Sequence, residues 1–324
     1  MNNNLTLEDE IKKYNISDTF YKRYFQQNAI NHYANELMKF MWFKEGKFLN
    51  PKNQWQYINE FAKKEIENFY EKKLFVMPQL EVSITTKCTL RCKECCAFIP
   101  KFNQHGHRVM SFEEFKFSID KILNSIDLLE NLIFLGGEPL LNLELPKMID
   151  YALANNKIEM AFIISNGTVK PSNKLLEVMK KYSTRIFVRM SDYSVNKDIS
   201  NILKHEEIER IFKENNIKCQ KQTDMKWLKE LGFSKEKSTK EASYERFNNC
   251  QRVKCIHLID KKIDICSKAY AGRELGYITN KDFIDLEKTD DLRKALIDFY
   301  HLDCISACEY CNITKESAEV AKQV

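Results

Sequence analysis

From residue 78 to about residue 221 the chain alternates between two periodicities, and that alternation restricts the fold more than any other feature. Runs with period-2 patterning at 80–85, 131–135, 159–164, 185–190 and, more faintly, 216–220 read as strands. Between them, 111–127, 144–155, 172–182 and 197–214 carry helical spacing, the first opened by Ser111 with Glu113 and Glu114 behind it. Strand–helix units repeated in this way imply a parallel sheet. Functional groups of such sheets collect at the carboxyl ends of the strands. Four polar or glycine clusters occupy those ends: a cysteine loop after residue 85, Gly136-Gly137-Glu138, Ser165-Asn166-Gly167-Thr168, and Ser191-Asp192-Tyr193. The fold class is therefore α/β, with the four clusters converging on one mouth. Periodicity alone leaves a partial barrel, a closed barrel and an open sheet as candidates.

The first strand places Leu80, Val82 and Ile84 against Glu81, Ser83 and Thr85 and runs straight into Cys88, Cys92 and Cys95, spaced C-x3-C-x2-C. Three thiolates can hold three irons of a cubane cluster and leave the fourth iron to an outside ligand. Taken alone, the same spacing would also serve as half of a zinc site. Followed one strand later by Gly136-Gly137-Glu138-Pro139, the loop resembles the cluster motif of the radical S-adenosylmethionine (SAM) enzymes. The resemblance spans roughly residues 78–215. It implies a partial (β/α)6 barrel, a [4Fe–4S] cluster on Cys88, Cys92 and Cys95, and SAM chelating the open iron. It also implies that Gly136, Gly137, Glu138 and Pro139 lie along the methionine part of SAM. By the same resemblance Ser165 and Asn166 meet its ribose or carboxylate, where the bland reading of Asn-Gly is a turn. Arg189 and Ser191 are further candidates for SAM, with a surface ion pair as the other reading of Arg189. The residue before the third cysteine, often aromatic in the family, is Glu94.

Both flanks differ in pattern from the barrel. Residues 1–77 read as a helical extension packed on the barrel, with Trp55, Ile58, Ala62, Ile66 and Phe69 at helical spacing and Ser17-Asp18 as a cap. Residues 222–248 are polar and lysine-rich apart from Trp227-Leu228 and Leu231-Gly232, and read as a linker with Trp227 packing between domains. Residues 249–324 hold a second cysteine set. Cys250, Cys266, Cys308 and Cys311 are spaced C-x15-C-x41-C-x2-C, enough for a fully ligated [4Fe–4S] cluster or a structural zinc site. The run from Cys255 to Cys266 reads as a β-hairpin turning at Asp260-Lys261-Lys262. This arrangement resembles the twitch domain, the shortened SPASM domain, which implies an auxiliary [4Fe–4S] cluster. Cys304, Cys308 and Cys311 repeat the C-x3-C-x2-C spacing, but only 13 residues follow them here, too few for a barrel. Cys96, Cys255 and Cys304 are left as possible hydrogen-atom donors, against the usual reading of spare cysteines as small buried residues. His105, His107 and Arg108 sit where a mouth loop is expected.

Bulk composition narrows the function classes. The chain of 324 residues is 44% hydrophobic with a net charge of +5 and no long basic run, so nucleic-acid binding is not expected. No apolar run reaches membrane-spanning length and no secretory signal is visible, which places the expected site of action in the cytoplasm, away from membranes. Eleven cysteines in that setting point to metal binding rather than disulfides. The resemblance then implies reductive cleavage of SAM to a 5′-deoxyadenosyl radical, hydrogen abstraction from a small molecule, and oxidation through the auxiliary cluster. A sugar or nucleotide sugar is the substrate class in view, and a flavodoxin or ferredoxin the one-electron reductant. A radical epimerase, a maturase of a ribosomal peptide or protein, and a non-enzymatic iron–sulfur or zinc regulator are the alternatives.

Overall fold

A computed structural model describes residues 5–44, 49–223, 226–230, 232–233, 239–279, 282–311 and 316–324. Leu231, paired above with Gly232, lies outside them. The described strands are β1 (Val76–Thr85), β2 (Leu128–Gly136), β3 (Ile158–Ser165), β4 (Ile186–Ser191), β5 (Cys219–Gln222), β6 (Trp227–Leu228), β7 (Ile256–Ile259), β8 (Lys262–Ile265), β9 (Phe283–Asp285) and β10 (Ser317–Ala318). One eight-stranded sheet runs β5-β4-β3-β2-β1-β7-β8-β9, and β6 pairs with β10 apart from it. Strands β1 to β5 are parallel, as the strand–helix repeat requires, and together with their helices form a partial α/β barrel. Helices Phe112–Ser125, Leu145–Leu153, Asn173–Lys181 and His205–Glu214 return between them. Leu80, Val82 and Ile84 of β1 are fully buried in the main core with Phe115, Ile119 and Ile122. Alternation along a strand then turns Gln79, Glu81 and Ser83 to the other, inner face.

The helical extension closes the amino-terminal end of this sheet. Helix Gln27–Met38 carries asparagines on the sheet-facing side. Asn28 donates to the Val76 carbonyl at 3.0 Å, Asn31 to the Pro78 carbonyl at 2.8 Å, and Asn35 to Asn131 Oδ1 at 2.9 Å. Buried strand ends leave backbone acceptors that need partners, and these amides supply them. Beyond the helix, Met38 and Phe43 pack on Met160, Phe162 and Phe187. In helix Gln54–Tyr70, Ile58, Ala62 and Ile66 are buried as the spacing predicts, but Trp55 is 60% exposed. It stands in the first turn, before the apolar face meets the rest of the extension.

Two other expectations are adjusted. The helix foreseen over 197–214 begins only at His205, after a separate turn at Lys197–Ile199. Asn196 explains the break: its side chain accepts from Asp198 N at 3.0 Å and donates to the Ala321 carbonyl at 2.9 Å. The hairpin of the second half joins the main sheet, β7 lying parallel to β1 with Glu81 opposite His257, and its turn is tighter than expected. The hairpin turn has two residues, Asp260 and Lys261, with φ of 50° and 55°. That is the left-handed pair of a type I′ connection, and Lys262 already belongs to β8. No helix among the described residues is long and apolar enough to cross a membrane.

Candidate active site

The cysteine loop is built by docking two strand ends. Gly137 N donates to the Thr85 carbonyl at 2.7 Å and Glu138 N to the Lys87 carbonyl at 2.8 Å. A Cβ on Gly136 would fall on the Thr85 carbonyl, and one on Gly137 on the Lys87 carbonyl and the Cys88 side chain. Gly136 also has φ of 144°, open to glycine alone at little cost. The paired glycines thus let β2 lie directly against the start of the cysteine loop. Glu138 is fully buried beneath it and accepts from Asn166 N at 2.8 Å, Ser165 Oγ at 3.0 Å and Leu140 N at 3.2 Å. Burial outweighs those donors and raises its pKa to about 7. Pro139 follows as the first residue of a short helical turn.

Donors surround the thiols. Leu90 N lies 3.4 Å from Cys88 Sγ, and Asn166 Nδ2 lies 3.5 Å from the same sulfur. Gln323 Nε2 lies 3.5 Å from Cys92 Sγ. N–H groups aimed at sulfur are what a bound iron–sulfur cluster uses to set its potential. The chemistry of the loop fits a cluster: three thiols on one short turn, close enough for Cys92 to act electrostatically on both Cys88 and Cys95. Without metal, burial pushes the Cys88 thiol up to about 11, so loading a cluster must release protons.

Ser165 and Asn166, expected at SAM, sit at this mouth with their side chains already engaged. The serine hydroxyl is given to Glu138, and the asparagine amide reaches Cys88 and Thr89. Arg189 lies on the inner face with its guanidinium 4.5 Å from the Phe162 ring centre, so the surface ion-pair reading does not describe it. Ser191 is buried at the end of β4 beside Tyr193. His107 Nδ1 faces the Thr86 carbonyl at 3.0 Å, and Arg108 pairs with Glu274 at 2.6 Å. With Ser83 and Ile259 they line a cavity of about 220 Å³ at the edge of the mouth. Trp227 packs on the cysteine loop with Leu90, Cys92 and Ala321, its ring 5.7 Å from that of Tyr193.

The second cysteine set gathers where the hairpin, the helix Ser267–Glu274 and the turn Ser306–Tyr310 meet. Cys266 acts electrostatically on Cys308, Cys250 and Cys311 act on Cys266, and Cys311 acts on Cys250 and Cys308. Cys304 stands next to Cys308, shares a hydrogen bond with it and acts on it electrostatically, so a fifth thiol adjoins the group. Cys255 faces Glu81 first. All eleven cysteines are free of disulfides.

A shared wall joins the two sets. Phe98 and Ile99, just past the first loop, pack with Ile259, Tyr270 and Ala271 of the hairpin and its helix. Cys96 is exposed, with Arg252, Glu230 and Glu81 near enough to act on it electrostatically. Lys268 is only 3% exposed, its Nζ has no hydrogen-bond partner, and it lies 5.6 Å from the Phe98 ring centre and 5.5 Å from that of Phe233. Arg252 Nη1 is likewise buried without a partner while Nη2 pairs with Glu230. Sequence reasoning missed Lys268, although its place two residues after Cys266 was a usable signal. It also missed residues 316–324, which close over the first loop. Lys93 N donates to the Lys322 carbonyl at 2.7 Å, Val324 N to the Arg91 carbonyl at 3.0 Å, and Arg91 N to Gln323 Oε1 at 2.6 Å.

The model of the radical SAM superfamily matches residues 82–234. GTP 3′,8-cyclase of Campylobacter fetus subsp. fetus is 26% identical over 271 residues, covering 75% of this chain and 78% of that protein. The protein of the same name from Campylobacter jejuni is 24% identical over 255 residues, covering 74% and 77%. Among solved structures, native anSMEcpe with bound AdoMet aligns with a TM-score of 0.46 at 14% identity, over 74% of this chain and 84% of that one. BtrN in complex with AdoMet and 2-DOIA aligns at 0.40 and 16% identity, over 76% and 98%.

Proposed function

We propose that this chain, a radical SAM superfamily enzyme by its residues 82–234, oxidises a small molecule by two electrons with the help of a second iron–sulfur cluster. Cys88, Cys92 and Cys95 would hold the family's [4Fe–4S] cluster, and Cys250, Cys266, Cys308 and Cys311 the auxiliary one. Bound there, cluster and SAM would supply the chemistry that removes one hydrogen atom from the substrate, and the auxiliary cluster would supply an acceptor for the remaining electron, with a proton lost to solvent. What the chain contributes is position and exclusion of water. Gly136 and Gly137 bring β2 against the loop, Glu138 fixes Ser165 and Asn166, and residues 316–324 cover the loop from outside. A one-electron donor such as a flavodoxin or ferredoxin would serve as reductant.

The observation that carries the reading is the gathering of Cys250, Cys266 and Cys311 with the Cys308–Cys304 pair, thiols enough to leave a cluster no vacant ligand position. A closed cluster suits electron acceptance. The Cys308→Ala variant should still release 5′-deoxyadenosine with the true substrate but lose the oxidised product. Unchanged oxidised product in that variant would overturn the reading.

A second reading has its own support. The curated relatives are named GTP 3′,8-cyclase, and two cationic side chains with unpartnered buried nitrogens, the buried Lys268 and the half-buried Arg252, lie near the cysteines of the second set. A phosphorylated or nucleotide substrate fits that charge, with ring closure in place of net oxidation. Turnover of a nucleotide to a product of unchanged oxidation state would decide for it. Cys96 and Cys304 remain as hydrogen-atom donors for an epimerase.

A further inference from the structure

A third group of ligating side chains lies on the inner face of the sheet, beside the second cysteine set, where Cys266 N donates to the Cys255 carbonyl at 3.0 Å. Glu81 on β1 and His257 on β7 are register partners across two parallel strands. Cys255 precedes β7 and stands two residues before His257, so strand alternation puts both on the same face. One donor atom from each of the three lies within 4.8 Å of the other two. Glu81 Oε2 and His257 Nε2 are 3.1 Å apart.

These separations suit one small cation. Bonds of about 2.0–2.3 Å in a tetrahedron place its corners roughly 3.3–3.8 Å apart, so the glutamate and histidine already span an edge and the thiol needs a small rotation. A carboxylate and a thiolate neutralise a divalent charge, and an imidazole nitrogen completes a donor set common to such ions. A mixed set of sulfur, nitrogen and oxygen selects zinc or its transition-metal neighbours over magnesium or calcium. Both strands belong to the eight-stranded sheet, so the donors rest on a rigid frame.

We propose that Glu81, Cys255 and His257 hold one divalent ion of the zinc class, with a fourth position open on the inner face of the sheet for an oxygen or nitrogen of the substrate. Three protein ligands and one open position is the pattern of a site that binds and polarises a ligand, not one that only braces a fold. Cys255 would then be a ligand, and a metal-bound thiolate has no hydrogen atom to donate. The reading does not depend on which net reaction the enzyme performs.

Cobalt(II) is the probe. The full chain is loaded with iron and sulfide anaerobically, desalted, and titrated with cobalt; bound cobalt and the thiolate-to-cobalt charge-transfer band are read for the wild type and for C255S, H257Q and E81Q. We expect about one equivalent retained by the wild type and displaced by zinc. The band should vanish in C255S, and retention should fall at least tenfold in H257Q and E81Q, at unchanged iron content. Three variants keep the comparison usable if one does not fold. No cobalt retained by the wild type, or the same band and stoichiometry in C255S, would overturn the site.

Discussion

Glu138 shows how one residue can serve both fold and site. Its carboxyl is fully buried, holds Ser165 and Asn166, and has its pKa raised from 4.5 to about 7 by burial. The folded chain therefore binds this proton more tightly than the unfolded one. The stabilisation is fully present below pH 4.5 and is lost as the pH rises towards 7, amounting to about 3 kcal/mol. Urea unfolding of the protein across that window should show the decline, and Glu138→Gln should flatten the slope. An identical pH slope in the variant would mean the carboxyl titrates normally. Motif reasoning expected Gly136, Gly137 and Glu138 to serve SAM. That the same residues also bind the strand end to the cysteine loop was not legible, because the partners are carbonyls, which no sequence pattern marks.

At the level of elements, the strands were legible wherever burial on one face imposes alternation, as in β1 and β3. The hairpin β7–β8 was also legible, but its place in the sheet was not. A parallel pairing of β1 with β7, some 175 residues on, leaves no local trace. Nor does the role of the amino-terminal helices as a clamp. Arg23, 3% exposed, donates through Nη1 to the carbonyls of Phe299 at 2.9 Å, Tyr300 at 3.1 Å and Leu302 at 3.0 Å, and through Nε to that of Val253 at 3.2 Å. One side chain thereby ties the extension to the segment that carries the second cysteine set. Charged hydrogen bonds of this kind contribute about 1.5–3 kcal/mol each and leave orphaned acceptors when removed. Arg23→Met should destabilise the protein by about 3 kcal/mol or more in urea unfolding, and iron at the second set should become labile while SAM cleavage persists. A loss below about 0.5 kcal/mol would show that the clamp does not hold.

On the scale of the whole molecule, the two cysteine sets face a common wall and belong to one sheet. The first set rests on β1 and β2, the second on β7, β8 and the helix that follows, and Phe98 packs across to Tyr270. Cysteine spacing was enough to separate the two sets, but it named four ligands for the second without showing that Cys304 adjoins Cys308 as well. Spacing could not show that residues 316–324 fold back over the first loop, through Lys322, Gln323 and Val324. The central claim is that the chain carries a second, independent iron–sulfur site. Its most direct test is the iron retained after anaerobic reconstitution of a variant with Cys88, Cys92 and Cys95 all changed to alanine. The account predicts about four irons and matching sulfide per chain, with the absorption of a [4Fe–4S] cluster. A variant that retains no iron, or binds one zinc in its place, would contradict it.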